Sequence, residues 1–482
     1  MLCVREPTQP ANAAVGGQMR RSRTGAHRPP DSIRRDVSAS RSLPDRPPFT
    51  LRARILTPLA SGGTFYEADG VVDVDARGRI TVAGAVSDHP DLASSAIDLR
   101  PLVVLPGLVD LHAHLPQIPN AGLGAGLHLL TWLDRYIFPL EREFDDADAA
   151  ERLAPAAFRA FATAGTTTAL VYGAVFAPSL DAAFRAAEAH GIRAIIGKVM
   201  MDRVTYDESI DPTTILETSL RQSAELCDRW HRADDGRLGY AFTPRFAVSC
   251  TMDMLRESAS LARSKRAWWQ THLSEDLREI VTVRRLFPEA VDYVDVYDRA
   301  GGLGDRTVLA HAIHLSDREL ARLVESGTRV AHCPASNLFL ASGVMPLARY
   351  LEAGLIVGLG SDVAAGPELS IFSVMRAGAY AQSALHVAGD VRAVLTPLEW
   401  LRLGTLGGAR VLGLEDAVGS IEAGKEADLI AVDAALTSPL PGLETAEPED
   451  LVSRLIYRPH PAMVRAAWVR GRLLAGPAGI AS

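Results

Sequence analysis

The sequence predicts an α/β fold, a (β/α)8 barrel with a small β-sandwich domain built from the N- and C-terminal flanks. Three observations lead there. Through the middle of the chain, apolar strand-like runs alternate with amphipathic stretches rich in Ala, Leu, Arg and Glu, such as DAAFRAAEAHGI, which is the pattern of repeated βα units. Both ends instead carry short alternating runs separated by Gly-containing turns. The length of 482 residues accommodates a barrel of roughly 250 residues and a satellite domain.

Residues 1–48 contain nine arginines and seven prolines with almost no apolar periodicity, a composition that cannot bury a core. They read as a disordered tail. The tail has no apolar h-region of a secretory signal; its arginine-rich, acid-poor start resembles an organelle transit peptide, and a start codon upstream of the real one accounts for it equally well. Lysine is confined to Lys198, Lys265 and Lys425, so the tail's arginines partly reflect background composition and receive no functional weight. Residues 49–104, with FTLRARILTPLA and VVDVDARGRITVAG, form the first part of the sandwich. Residues 105–408 form the barrel, 409–475 the second part of the sandwich with GSIEAGKEADLIAVD and MVRAAWVRGRLLAG, and 476–482 a C-terminal tail. The eight expected barrel strands are VVLPGLVDLHAH, GTTTALVYG, AIIGKVM, GYAFTPRF, WWQTHLSE, TVLAHAI, RVAHCPAS and LIVGLGSD.

Composition narrows the function. A hydrophobic fraction of 48% and a charged fraction of 22% are those of a soluble globular protein, and no apolar run reaches the ~18 residues of a membrane span. A net charge of -8 opposes a general grip on nucleic acid, because phosphates are neutralised by basic surface. A small-molecule partner is expected, with neither nucleic acid nor membrane. Cys3, Cys227, Cys250 and Cys333 are scattered without a CxxC pair, which suggests neither a disulfide framework nor a thiolate zinc site and fits a reducing cytoplasm.

Barrels of this kind place their chemistry at the C-terminal ends of their strands. LPGLVDLHAHLPQ ends the first strand with His112 and His114, and residues i and i+2 share a strand face, so both imidazoles enter the mouth. A lone histidine there is more often structural than a ligand. Here, however, His272 ends strand five, His311 strand six and Asp362 strand eight, so four imidazoles and a carboxylate converge on one rim. Imidazole suits zinc or iron.

With these residues in place, the chain resembles the amidohydrolase superfamily, whose pattern is HxH on strand one, His on strands five and six, and Asp on strand eight. More narrowly, PGLVDLHAHLPQ, WLDRYIFPLE, GKVMMDR, TPRFAVSC, THLSEDLRE and HCPASNL resemble, in order, segments of the guanine deaminases. The resemblance implies a metal-dependent aminohydrolase acting on guanine in purine catabolism, a cytoplasmic homodimer. It implies metal ligation by His112, His114, His272, His311 and Asp362, with His311 either coordinating or holding the water beside the metal. One metal per chain is expected, zinc or alternatively iron, because the two-metal relatives bridge their ions with a strand-four lysine and GYAFTPRF has none; Lys198, on strand three, reads as a packing lysine. Glu275, Asp362 and His311 are the implied catalytic residues: Glu275 protonates a ring nitrogen, and Asp362 carries a proton from water to the departing amine. His114, Gln117, Arg245, Phe246, His272, Glu275 and Asp362 are the implied substrate-binding set. Gln117 offers a mixed amide edge, Arg245 planar donors and Phe246 a ring face. A related aminohydrolase acting on a pterin, 8-oxoguanine or a triazine shares the fold and metal, and a non-enzymatic relative that has lost its ligands is the other class. The complete ligand set with Glu275 opposes the latter. His314, His332 and Cys333 are read as packing residues, and Trp132 is left outside the site.

Overall fold

The computed structural model describes residues 43–203, 211–389, 394–443 and 447–476. Most of the expected N-terminal tail (1–42) and the C-terminal residues 477–482 therefore lie outside the described residues. Residues 43–48 do not behave as tail. Pro44 O accepts from Trp468 Nε1 at 2.9 Å and Asp45 O from Leu473 N at 3.0 Å, while Leu43 packs against the same apolar cluster as Trp468. Backbone carbonyls laid along a strand edge need no side-chain periodicity, which is why composition placed the boundary too late.

The flanks supply β1 (Phe49–Pro58), β2 (Thr64–Val74), β3 (Ile80–Ala85) and β4 (Ile97–Pro106). The barrel follows with β5 (Leu108–His114), β6 (Thr166–Tyr172), β7 (Arg193–Gly197), β8 (Val199–Met200), β9 (Leu238–Pro244), β10 (Trp268–Leu273), β11 (Thr307–His311), β12 (Arg329–His332) and β13 (Ile356–Leu359). The chain then returns to the small domain in β14 (Leu429–Val432), β15 (Val464–Val469) and β16 (Arg472–Ala475). The expected sandwich is made of one mixed sheet in the order β16-β15-β14-β4-β1-β2-β3. It curls over a core of Leu51, Ile55, Val72, Val104 and Leu429. The curl brings the rings of Phe49 and Trp468 to 6.3 Å and lets Ile80 N donate to Lys425 O at 2.8 Å.

VVLPGLVDLHAH, read from sequence as one barrel strand, is two strands in two sheets. The break falls at Gly107, whose N–H donates to Asp428 O at 2.9 Å. A Cβ there would stand 2.0 Å from Thr167 Oγ1, so the chain crosses between domains at a residue without a side chain.

The barrel strands pair in parallel in the order β5-β6-β7-β9-β10-β11-β12-β13. After β13 the chain closes back on β5 through Asp362 N to His112 O at 2.7 Å and His114 N to Val363 O at 2.9 Å. Val109, Leu111, Leu170, Ile195, Trp268 and Val308 fill the floor, each burial contributing about 1.5–3 kcal/mol. The covering helices form as their patterns require: in Ala147–Thr163 the residues Ala150, Ala154, Ala157, Phe158 and Phe161 fall on one buried face, and Asp146 caps the start by accepting from Asp148 N.

Candidate active site

Strand alternation by itself does not account for both Leu111 in the barrel floor and His112 in the mouth. The β5–β6 register shifts between Asp110 and Ala113, and such an irregularity changes which side chains face inward. Asp110 fills the slip, its Oδ1 accepting from His112 N at 3.2 Å and Ser361 N at 2.9 Å. Burial pushes its carboxyl up to about 7. Three other strand ends turn through left-handed backbone at Ser274 (φ 47°), His311 (φ 70°) and Asp362 (φ 49°), strained positions of the kind that gather at functional sites.

His112, His114, His272 and Asp362, all buried, bring one donor atom each within 4.8 Å of the others. His114 Nε2 stands 3.3 Å from His112 Nε2 and 3.2 Å from His272 Nε2. Asp362 Oδ1 lies 3.1 Å from His112 Nε2 and 3.4 Å from His114 Nε2. His272 Nδ1 is 2.6 Å from Arg245 O, an atom that only accepts, so the ring proton sits on Nδ1 and the Nε2 lone pair faces the cluster. Burial lowers His112 to about 4 and, with the neighbouring histidines, holds His272 well below its ordinary value. Burial alone would raise Asp362, but His112 and the other histidines outweigh it and hold the carboxyl well below the usual range. Neutral imidazole lone pairs and one carboxylate facing a common point fit a divalent metal. Lys198 points elsewhere: its Nζ donates to Ser219 Oγ at 2.9 Å on the helix Pro212–Trp230.

His311 stands beside this cluster without belonging to it. Its Nε2 is 3.8 Å from Asp362 Oδ2 and 3.5 Å from Glu275 Oε2, and its Nδ1 meets Asn337 Oδ1 at 2.9 Å. Glu275 is buried rather than facing solvent. The helix Leu277–Leu286 is capped by Asp276 and Glu279 instead, and Glu279 Oε2 accepts from Glu275 N at 3.0 Å. Burial, then the charges of Asp362, Glu279 and Asp276, push the Glu275 carboxyl well above its ordinary value.

One pocket of about 360 Å3, partly open to solvent, joins these groups to His114, Gln117, Arg245, Phe246, His272, Glu275 and Asp362, the whole set expected to touch substrate. In the same pocket, Gln117 Nε2 donates to Glu141 Oε1 at 2.7 Å and Arg245 Nη1 to Glu141 Oε2 at 2.5 Å. The Arg245 guanidinium lies 5.3 Å over the Phe138 ring, and Phe246 packs 6.3 Å from His272.

Sequence reasoning missed Glu141 and left out Trp132, which the structure places in the pocket wall with its Nε1 donating to Leu123 O at 2.8 Å. The signal for Glu141 was a carboxylate closing the apolar run IFPLE; its partners lie 24 and 104 residues away. Ser336, which donates to Asp362 Oδ2 at 2.5 Å, and Asn337 were missed as well. His314 bonds Ser342 O at 2.8 Å, and buried His332 is lowered to about 3 by burial and His311; neither joins the cluster.

Residues 103–474 match the amidohydrolase family. Over 372 residues the chain is 39% identical to a probable guanine deaminase of Deinococcus radiodurans, covering 75% of this chain and 82% of that one. It is 38% identical over 359 residues to the guanine deaminase of Escherichia coli, covering 74% and 79%. Among solved structures, guanine deaminase from C. acetobutylicum with guanine bound in its active site superimposes with a TM-score of 0.81 at 28% identity, over 88% of this chain and 99% of that chain.

Proposed function

The chain belongs to the amidohydrolase family, and on that footing we propose that it is a guanine deaminase, adding water at C2 of guanine and releasing xanthine and ammonia. What carries this reading is a pocket lined both by His114, His272 and Asp362 of the donor cluster and by Gln117 and Arg245, in a chain akin to guanine deaminases over most of its length.

The metal is zinc in this proposal, one per chain, held by His112, His114, His272 and Asp362, with His311 beside the attacking water. A divalent ion there lowers the pKa of water from about 15.7 towards ~7, which makes hydroxide available at neutral pH. Every other task falls to side chains. Glu275, whose carboxyl is pushed above its ordinary value by burial and the neighbouring carboxylates, donates a proton to the ring nitrogen next to C2 as the C2–O bond forms. Asp362, held ionised, takes the first proton of the attacking water and passes it to the exocyclic nitrogen; as C2=O forms, the added hydroxyl returns its proton to Glu275 and the C2–N bond breaks with ammonia as the leaving group. Phe246 supplies a ring face for the base, and Gln117 and Arg245 read its edge. The cytoplasmic compartment and the homodimer belong to the same proposal. The buried free thiols of Cys227, Cys250 and Cys333 suit a reducing compartment, and among the described residues no helix is long and apolar enough to cross a membrane.

The test is ammonia release by metal-analysed protein from guanine, 8-oxoguanine, a pterin and an amino-triazine. Guanine should be turned over fastest. Preference for a pterin or a triazine would replace guanine as the substrate while leaving the aminohydrolase chemistry intact.

A further inference from the structure

The pocket's reading edge is built on a carboxylate that lies behind it. Buried Glu141, on the helix Phe138–Arg142, accepts from Gln117 with one oxygen and from Arg245 with the other. Gln117 and Arg245 are themselves 2% and 3% exposed, so neither pairing competes with bulk water. A primary amide is ambiguous, presenting either an acceptor or a donor after a flip. A carboxylate paired with a guanidinium is not, because both its oxygens accept. The amide of Gln117 must therefore turn its NH2 to Glu141 and its Oε1 away. That oxygen accepts no hydrogen bond from the described residues, and Gln117 lines the pocket. Arg245 has only donors, whatever else it meets.

We infer that Glu141 is the positioning residue that fixes substrate specificity, by locking Gln117 as an acceptor beside Arg245 as a donor. The inference rests on the guanine reading above and deepens it. An acceptor next to a donor complements N1–H next to O6 of a 6-oxopurine. It opposes a 6-aminopurine, which presents a bare N1 and an NH2 and would leave buried polar groups unpaired. Glu141 touches neither the metal-ligand cluster nor, on this account, the substrate.

The probe pair is guanine and 2,6-diaminopurine. Both carry the same amino group on C2 and differ at the edge being read. In Glu141→Gln the partner of Gln117 can itself donate or accept, so the amide is released to flip. The preference for guanine over diaminopurine in kcat/KM should shrink by about 10-fold or more, with metal content unchanged. Glu141→Asp, still an acceptor, should keep the preference even if the rate falls. A proportional loss on both substrates, leaving the ratio unchanged, would reduce Glu141 to a structural residue and overturn the inference. The double variant Gln117→Glu, Glu141→Gln serves if the single one does not fold. A carboxylate at position 117 presents an acceptor whatever stands behind it, so the wild-type preference should persist; its collapse would count against the proposal. Failure of the wild-type protein to deaminate guanine would instead sink the underlying reading.

Discussion

The two walls of the pocket are held in different ways. On the metal side the anchors are separate: Arg245 O fixes His272, Ser336 fixes Asp362, and Asn337 fixes the neighbouring His311. On the reading side the functional side chains are held through one shared carboxylate, Glu141. A wall of separately anchored donors should fail one ligand at a time, and always through the ion. A wall built around a buried ion pair should fail in selectivity and stability together, because removing one partner takes a counter-charge away from the other. Arg245 joins the two, since its carbonyl serves the metal side and its guanidinium the reading side.

Substitutions can break this contrast, starting with the largest effect. His114→Ala should abolish stoichiometric metal binding and cost more than the roughly 10² to 10⁴ of a lone acid–base substitution, by metal analysis and turnover on the same sample. Retention of both would dissolve the distinction between the walls. Glu275→Gln comes next, with turnover down about 10²- to 10⁴-fold while the metal and inhibitor binding remain. Near-normal turnover would remove Glu275 from the mechanism. Arg245→Ala should lower kcat/KM for guanine by roughly 10- to 100-fold, the size of a lost hydrogen bond to a charged group. It should also lower stability, because Glu141 loses the buried guanidinium that pairs with it, measured by denaturant unfolding of metal-loaded protein. Unchanged stability would mean that the Glu141 carboxylate does not depend on its cation.

What could be read from the sequence divides along the same line. His112, His114, His272 and Asp362 were legible as a cluster because they fall at strand ends and a metal demands particular residue types, whereas His311, expected with them, stands beside the cluster. The phase slip at Asp110–Ala113 was not, because strand alternation carries no sign of a bulge. Nor was the division of VVLPGLVDLHAH at Gly107, since two strands in sequence with one apolar pattern look like one. Gln117 and Arg245 came only with the family resemblance. Glu141 escaped even that, because a buried carboxylate is identified by partners distant in sequence. The bonds of Pro44 and Asp45 to the sheet run through backbone carbonyls, which leave no compositional trace.

The smallest effect concerns buried Lys198, whose Nζ donates to Ser219 Oγ. Burial lowers it from 10.5 to about 7. Between those values the unfolded chain binds more protons than the folded one, so stability rises with pH across that window, and the penalty is fully developed below it. Lys198→Met should therefore gain a few degrees in Tm below pH 7, the gain shrinking towards pH 10, with metal content and rate unchanged. Loss of metal would place the lysine in the centre and make the site binuclear.

The central claim, a mononuclear guanine deaminase, is tested most directly by titrating metal-stripped protein with zinc and following ammonia released from guanine against metal bound per chain. Activity should rise in proportion to occupancy and level off at one ion per chain. No ammonia at full occupancy, or a rise that continues to two ions, would contradict it.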